Sequence, residues 1–449
     1  MFKRKIESYL ETYLNSDEER ILCVDGARQV GKSFIIRALA KKYYTNYVEV
    51  NMIDDYAGDK LFADVKNKDE FYLQLSILHG DKLKERENTI VFLDEIQVYP
   101  HLLTMLKSLR YDNRFKYICS GSLLGVTLHK TTSIPMGSIL EKEMYPMDFE
   151  EFLWACGVGN EFISYMKQCY ETKASLTESM HNKILNLFKT YLYVGGLPDA
   201  IKAYVETKNV YNIREVQTLT HKYYREDAGK YDEDNRLVIQ KMYDYIPSNI
   251  ENKVKRIQFT KIENQPNARF KNYEREFEYL ISSGIALPVS AIAEPSFPLI
   301  QSSKKNLIKL YMNDVGLFTN ILYSYNVNAI LKDEVKVNLG AVYETVVTQE
   351  LKAHGHNLYY YDRRKVGEVD YLIDDYSTLS VVPIEIKSGR DGYEFSALKK
   401  VIALQENRIQ KGYVFSNDRV VKEENNIVYM PIYYIMFAFI SFFCISYVF

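Results

Sequence analysis

The chain has 449 residues, of which 47% are hydrophobic and 26% charged; that length allows about three domains. A formal charge of −2 excludes global attraction to nucleic acid or acidic lipid, so such binding would need local patches. The five cysteines (Cys23, Cys119, Cys156, Cys169, Cys444) form no C-x-x-C pair, and the start lacks the apolar core of a signal peptide; the expectation is a reducing, cytoplasmic setting.

Residues 3–20 read as a polar amphipathic helix and a turn. The short apolar run Ile21-Leu22-Cys23-Val24 then leads into Gly26-Ala27-Arg28-Gln29-Val30-Gly31-Lys32-Ser33, which fits G-x-x-x-x-G-K-[ST]. Apolar residues at helical spacing follow from Phe34, so the setting is strand, glycine-bounded loop, helix. The glycines let successive N–H groups and the helix N-terminus face phosphates. Lys32 would reach the β and γ phosphates of ATP, and the Ser33 hydroxyl would ligate Mg²⁺.

Residues 47–51 read as a second strand. Ile90-Val91-Phe92-Leu93 ends in Asp94-Glu95, a Walker B pattern 62 residues after Lys32. Asp94 would hold the hydration shell of Mg²⁺, and Glu95 would orient or deprotonate the attacking water. Lys116–Ser122 reads as a further strand whose Ser120 or Ser122 is placed to sense the γ phosphate. Alternating strands and helices predict a parallel sheet covered on both faces.

Gly-Ala-Arg-Gln-Val-Gly-Lys-Ser, Leu93-Asp94-Glu95-Ile96-Gln97, Ser120-Gly121-Ser122 and Tyr145–Phe152 together resemble a widespread prokaryotic group of AAA-type P-loop ATPases. Members of that group carry a C-terminal domain of uncharacterised role with a nuclease-like fold. Tyr193-Val194-Gly195-Gly196-Leu197-Pro198 and Tyr311-Met312-Asn313-Asp314-Val315-Gly316-Leu317 match it too, and the resemblance runs to about Tyr434. Relatives often have a basic residue after glycine where this chain has Gly137-Ser138, so a trigger residue cannot be carried over there. Arg110 and Arg114 are substitutes on spacing alone.

The fold class expected is α/β. It comprises a P-loop NTPase parallel sheet over 1–150, a helical lid over 151–249, a winged-helix-like middle over 250–325, and a restriction-endonuclease-like α/β domain with an apolar tail over 326–449. In the middle, Lys253, Lys255, Arg256, Lys261, Arg269, Lys271 and Arg275 interleave with Phe259, Phe270 and Tyr273. Such a face could sit on a DNA backbone or could be solvated lysines. The proline-bearing stretch 287–300 reads as a wing and an irregular loop.

Beyond Gly340 a helix carrying Glu344 precedes three strands, near 358–361, 368–373 and 381–387. Asp370, 14 residues, then Glu385-x-Lys387 is the PD-(D/E)XK pattern. Residues i and i+2 of a strand share a face, so Glu385 and Lys387 project together, and Asp370 and Glu344 would converge on them. The three carboxylates would hold one or two Mg²⁺ ions, and Lys387 would activate water. The alternatives are an exposed Glu-Lys strand pair, or a fold that keeps these residues for binding alone. His354 and His356 read as turn residues.

The last helix is expected over 395–411, followed by a strand at 412–415. Residues 427–449 contain no charge; the run is long enough for a membrane span, although Pro431 and a strand-like start favour packing on the protein. The expectation is an Mg²⁺-dependent ATPase coupled to a nuclease-like, DNA-directed domain. The rival is an ATP-regulated switch that binds a protein partner. Homo-oligomerisation stays open.

Overall fold

The computed structural model describes residues 2–122, 137–227, 235–252, 255–263, 266–332, 338–388, 395–404 and 409–440. Two compact units emerge: one holds 3–145 together with 278–285, the other 146–277 and 286–449.

In the first unit, β1 (Ile21–Asp25), β2 (Asn46–Asn51), β3 (Thr89–Asp94), β4 (Lys116–Gly121) and β5 (Ile139–Glu143) form one sheet in the order β2-β3-β4-β1-β5, with every pairing parallel. β3 and β4 are buried along their whole length, as continuous apolar runs in a covered parallel sheet should be. Val48, Val50, Val91 and Leu93 pack under Leu102, Leu103 and Leu106 of the helix Pro100–Asp112. β5 is the strand that the sequence reading missed. As an edge strand it is only half-buried, and Ile-Leu-Glu-Lys-Glu carries no apolar run.

The second unit begins with helices that fill most of 149–251. Asp148 and Glu151 close a capping box at the first, and Pro198 stands in the first turn of the helix Pro198–Thr207. Tyr193–Pro198 and Tyr311–Leu317, two separate stretches of the resemblance, meet here. The buried Asp314 carboxylate accepts the Gly196 N–H at 2.6 Å and the Leu317 N–H at 2.9 Å. A Cβ on Gly195 would lie 2.3 Å from Asp314 Oδ1, so only glycine allows this approach.

Its sheet has the order β12-β13-β11-β10-β9-β8-β6-β7. After the helix Leu339–Ala353, β8 (Tyr359–Arg363), β9 (Gly367–Asp375) and β10 (Ser380–Ile386) run as an antiparallel meander. The helix Ser396–Ile402 then precedes β11 (Gly412–Ser416), parallel to β10. β12 (Lys422–Glu424) and β13 (Ile427–Pro431) extend that edge.

Two expectations need correction, and the favoured packing of the apolar tail on the protein is seen in its described part. The strands of the winged-helix-like stretch, β6 (Ala286–Ile292) and β7 (Ser303–Met312), do not stand apart from 326–449 but continue its sheet, because β6 pairs with β8 at Ser290 and Ala291. Pro288 is compatible with this, since it lies beyond the β8 pairing. The expected helix 395–411 is observed as Ser396–Ile402, capped at Ala403. Of the apolar tail, β13 and the turn Ile432–Phe437 are buried in the protein, and among the described residues no helix is long and apolar enough to cross a membrane. Residues 441–449 lie outside the described residues, as does Lys253.

Candidate functional site

The loop after β1 is shaped by backbone that favours glycine. Gly26 has φ 144° and Gly31, which caps the helix Lys32–Tyr43, has φ 98°. A Cβ on Gly26 would fall 2.2 Å from the Met144 carbonyl. Asp25 accepts the Gly26 N–H at 2.7 Å, and Arg4 ties the loop down by donating to the Val30 carbonyl at 2.8 Å. Lys32 is buried and folds back on its own loop, donating to the carbonyls of Gly26 at 2.7 Å and Ala27 at 2.9 Å. Burial lowers its pKa, while Glu95, Asp25 and Asp94 oppose that shift.

Asp94 ends the buried β3 and gathers the hydroxyls expected of it. Ser33 donates to Oδ1 at 2.8 Å, and Ser120 donates to the same oxygen. Burial raises the Asp94 pKa, and the two hydroxyls pull against it. Glu95 sits in the left-handed region at φ 55°, a conformation that costs a non-glycine residue about 1 kcal/mol or more. Ser122 donates to its Oε2 at 3.0 Å, and the Gln97 amide donates to the same atom. A hydroxyl and a carboxylate, both hard oxygen donors, form a set that fits Mg²⁺. Lys32, Ser33, Asp94, Glu95, Ser120 and Ser122 are thus brought to one mouth, with Gly26–Gly31 as its backbone wall.

Residues 18–153 match a family model described as an AAA domain. This is an AAA-type ATPase domain. Two further models, each described as a domain of unknown function, match 185–325 and 339–435. A Walker-type ATPase of Pyrococcus abyssi is 16% identical, with 72% of this chain and 96% of that one covered at a TM-score of 0.42. Cdc6p of Pyrobaculum aerophilum is 13% identical over 74% and 96%, at 0.25. Thermotoga maritima RuvB (variant T158V) is 13% identical over 64% and 89%, at 0.31. No curated protein matches the chain.

Two features of the AAA domain were not legible beforehand. Gly284, far away in sequence, packs on the P-loop: a Cβ there would lie 3.2 Å from the Ala27 nitrogen. Both substitute arginines are engaged: Arg110 donates to the Gly137 carbonyl at 2.8 Å, and Arg114 stacks 4.7 Å over the Tyr72 ring.

The C-terminal residues also meet. Glu344 Oε1 is ion-paired with Lys255, and Tyr311 donates to Oε2 at 2.8 Å. Burial would raise the Glu344 pKa, but Lys255, Lys309 and Tyr311 outweigh it and hold it below the usual carboxylate range. Asp370 Oδ2 accepts the Ile386 N–H at 2.8 Å. Glu385 is pushed up to about 9 by burial and by the neighbouring Asp370, with Lys387, 3.4 Å from Oε2, opposing. Lys309 is buried and paired with Glu368. The sequence reading placed Lys255 on a solvent-facing basic patch and missed Lys309 and Tyr311. Single residues from distant segments leave no local pattern.

His354 stands in the turn read for it. It ends the helix Leu339–Ala353, is buried, and donates from Nδ1 to the Ala438 carbonyl at 3.0 Å. Ligand atoms of His354, Glu350 and Asp148 lie within 4.8 Å of one another. Glu350 accepts the Phe149 N–H at 2.7 Å and Asp148 the Glu151 N–H at 2.9 Å, so this cluster joins segments distant in sequence.

Proposed function

We propose that the protein binds and hydrolyses ATP with Mg²⁺ at the P-loop and uses that cycle to control a C-terminal nuclease-like domain directed at DNA. The convergence of Ser33, Ser120 and Asp94 at the loop mouth is the observation that carries the ATPase half. Ser33 and Asp94 would hold the Mg²⁺, which supplies charge neutralisation for the phosphates. Lys32 leaves the loop carbonyls for the phosphate oxygens when nucleotide enters. Glu95, released from Ser122 and Gln97, orients the water and takes its proton.

The DNA half draws on Asp370 and Glu385-x-Lys387 at the PD-(D/E)XK spacing, the first two on the paired strands β9 and β10, and on the basic residues Arg256, Lys261, Arg269, Lys271 and Arg275. A second reading, an ATP-regulated switch that binds a protein partner, is favoured by the ion pair that Lys255 makes with Glu344.

The test is the ATPase rate with and without duplex and single-stranded DNA, on the parent and on Lys32→Ala. DNA stimulation that disappears in Lys32→Ala is the expected result. A Lys32-dependent rate indifferent to DNA transfers the assignment to the partner switch, and turnover that survives Lys32→Ala removes the P-loop from the mechanism.

A further inference from the structure

The metal implied by the PD-(D/E)XK resemblance does not fit the C-terminal carboxylates as they stand. A divalent ion needs carboxylate oxygens that converge on one point at about 2.0–2.6 Å. Here both Glu344 oxygens are taken, one by the Lys255 ammonium and one by the Tyr311 hydroxyl. Asp370 is held by a backbone N–H, Glu385 faces Lys387, and Lys309 stands against Glu368. Four carboxylates therefore meet three ammonium groups, and little negative charge is left for a doubly charged ion.

We propose that Lys255 is a built-in occupant of this pocket, its ammonium standing where a divalent cation would otherwise bind. The inference rests on reading Glu344, Asp370 and Glu385 as a nuclease-like constellation, and it adds that the chain's own lysine fills the place of the metal.

Lys255 is placed by the fold on both sides. Its carbonyl accepts the amide of the buried Asn249 at 2.6 Å, and two residues on the Ile257 N–H donates to the Ile308 carbonyl of β7 at 3.0 Å. The side chain is 19% exposed, against 7% for that of Glu344, so the ammonium reaches inward from the protein's edge. Lys255 itself is in neither a helix nor a strand. An ammonium on a carboxylate oxygen occupies the position that a cation would take, so lysine and metal exclude each other.

Manganese titration of the nucleotide-free full chain, followed by calorimetry, tests this. The forms compared are the parent, Lys255→Met, Asp370→Asn, and Lys255→Met with Asp370→Asn. The parent should show no Asp370-dependent Mn²⁺ site up to about millimolar concentration, whereas Lys255→Met should gain one at least about tenfold tighter, lost again in the double variant. A parent site that vanishes in Asp370→Asn, with affinity unchanged in Lys255→Met, overturns the proposal. So does a folded Lys255→Met that gains nothing. If Lys255→Met fails to fold, Lys255→Ala takes its place, and the parent against Asp370→Asn still tests the closed pocket. Lys32-dependent ATP turnover on the parent preparation reports the P-loop reading separately, so the two can fail independently.

Discussion

At the P-loop mouth Asp94 is met by the hydroxyls of Ser33 and Ser120, whereas on the helix Leu339–Ala353 Glu344 is met by the ammonium of Lys255. Hydroxyls satisfy a carboxylate's hydrogen-bonding capacity and leave its charge in place; an ammonium satisfies both. The first arrangement keeps a site ready for a cation. The second completes the neutralisation inside the chain. Two clusters of acids that the sequence reads as cation sites are thus in different chemical states. What decides between them is the partner each acid receives from elsewhere in the chain.

The sharpest way to break this comparison is Lys255→Met. It strands a buried carboxylate, so unfolding stability should fall by about 3–5 kcal/mol in urea melts, with most of that recovered when Glu344→Gln is added. A loss below about 1 kcal/mol would mark an ordinary surface pair and end the contrast. Next in size is the P-loop. Lys32→Ala, and separately Glu95→Gln, should lower phosphate release by about 100-fold or more, while Glu95→Gln keeps nucleotide binding in a fluorescence titration.

Asp314 supplies a third arrangement, a carboxylate held by backbone N–H groups. Burial raises its pKa from 3.8 to about 6, against the pull of the Gly196, Leu317 and Gly316 amides. The folded state therefore binds this proton more tightly than the unfolded chain. The contribution is fully favourable below pH 3.8 and is lost as pH rises through about 6. The loss is about 3 kcal/mol, and Asp314→Asn should flatten the stability–pH curve across that window. The smallest effect is expected of Ser122→Ala, which removes one hydrogen bond from Glu95. It should change the ATPase rate several-fold, about 1 kcal/mol, with little change in melting temperature.

The sequence exposed the P-loop because its chemistry is contiguous: Gly26 to Ser33 is one loop, and Asp94-Glu95 ends one apolar strand. Glu344, Asp370, Glu385 and Lys387 were also legible, since strand periodicity puts Glu385 and Lys387 on one side and the PD-(D/E)XK spacing adds Asp370 and the helical Glu344. Their state was not, because Lys255, Tyr311 and Lys309 come from segments whose own patterns say basic patch or strand. β6 was hidden by Pro288, and β5 by its polar edge composition. The meeting of Gly195-Gly196 with Asp314 was visible only as two motifs, since backbone packed against a carboxylate 118 residues away has no local signature.

The placement of Gly284 on the P-loop has a temporal consequence. The unit that holds the loop needs residues 278–285 to be complete, and the 132 residues of 146–277 are synthesised in between. At about 5–20 residues per second, the roughly 250 residues from the loop to Gly284 take about 13–50 seconds, so the loop would leave the ribosome that long before its last piece. A growing chain thus passes through an interval in which β1 and its loop exist but the Ala27 amide lacks the neighbour that the finished fold provides. A fragment cut at residue 153, where the AAA match ends, would make that interval permanent.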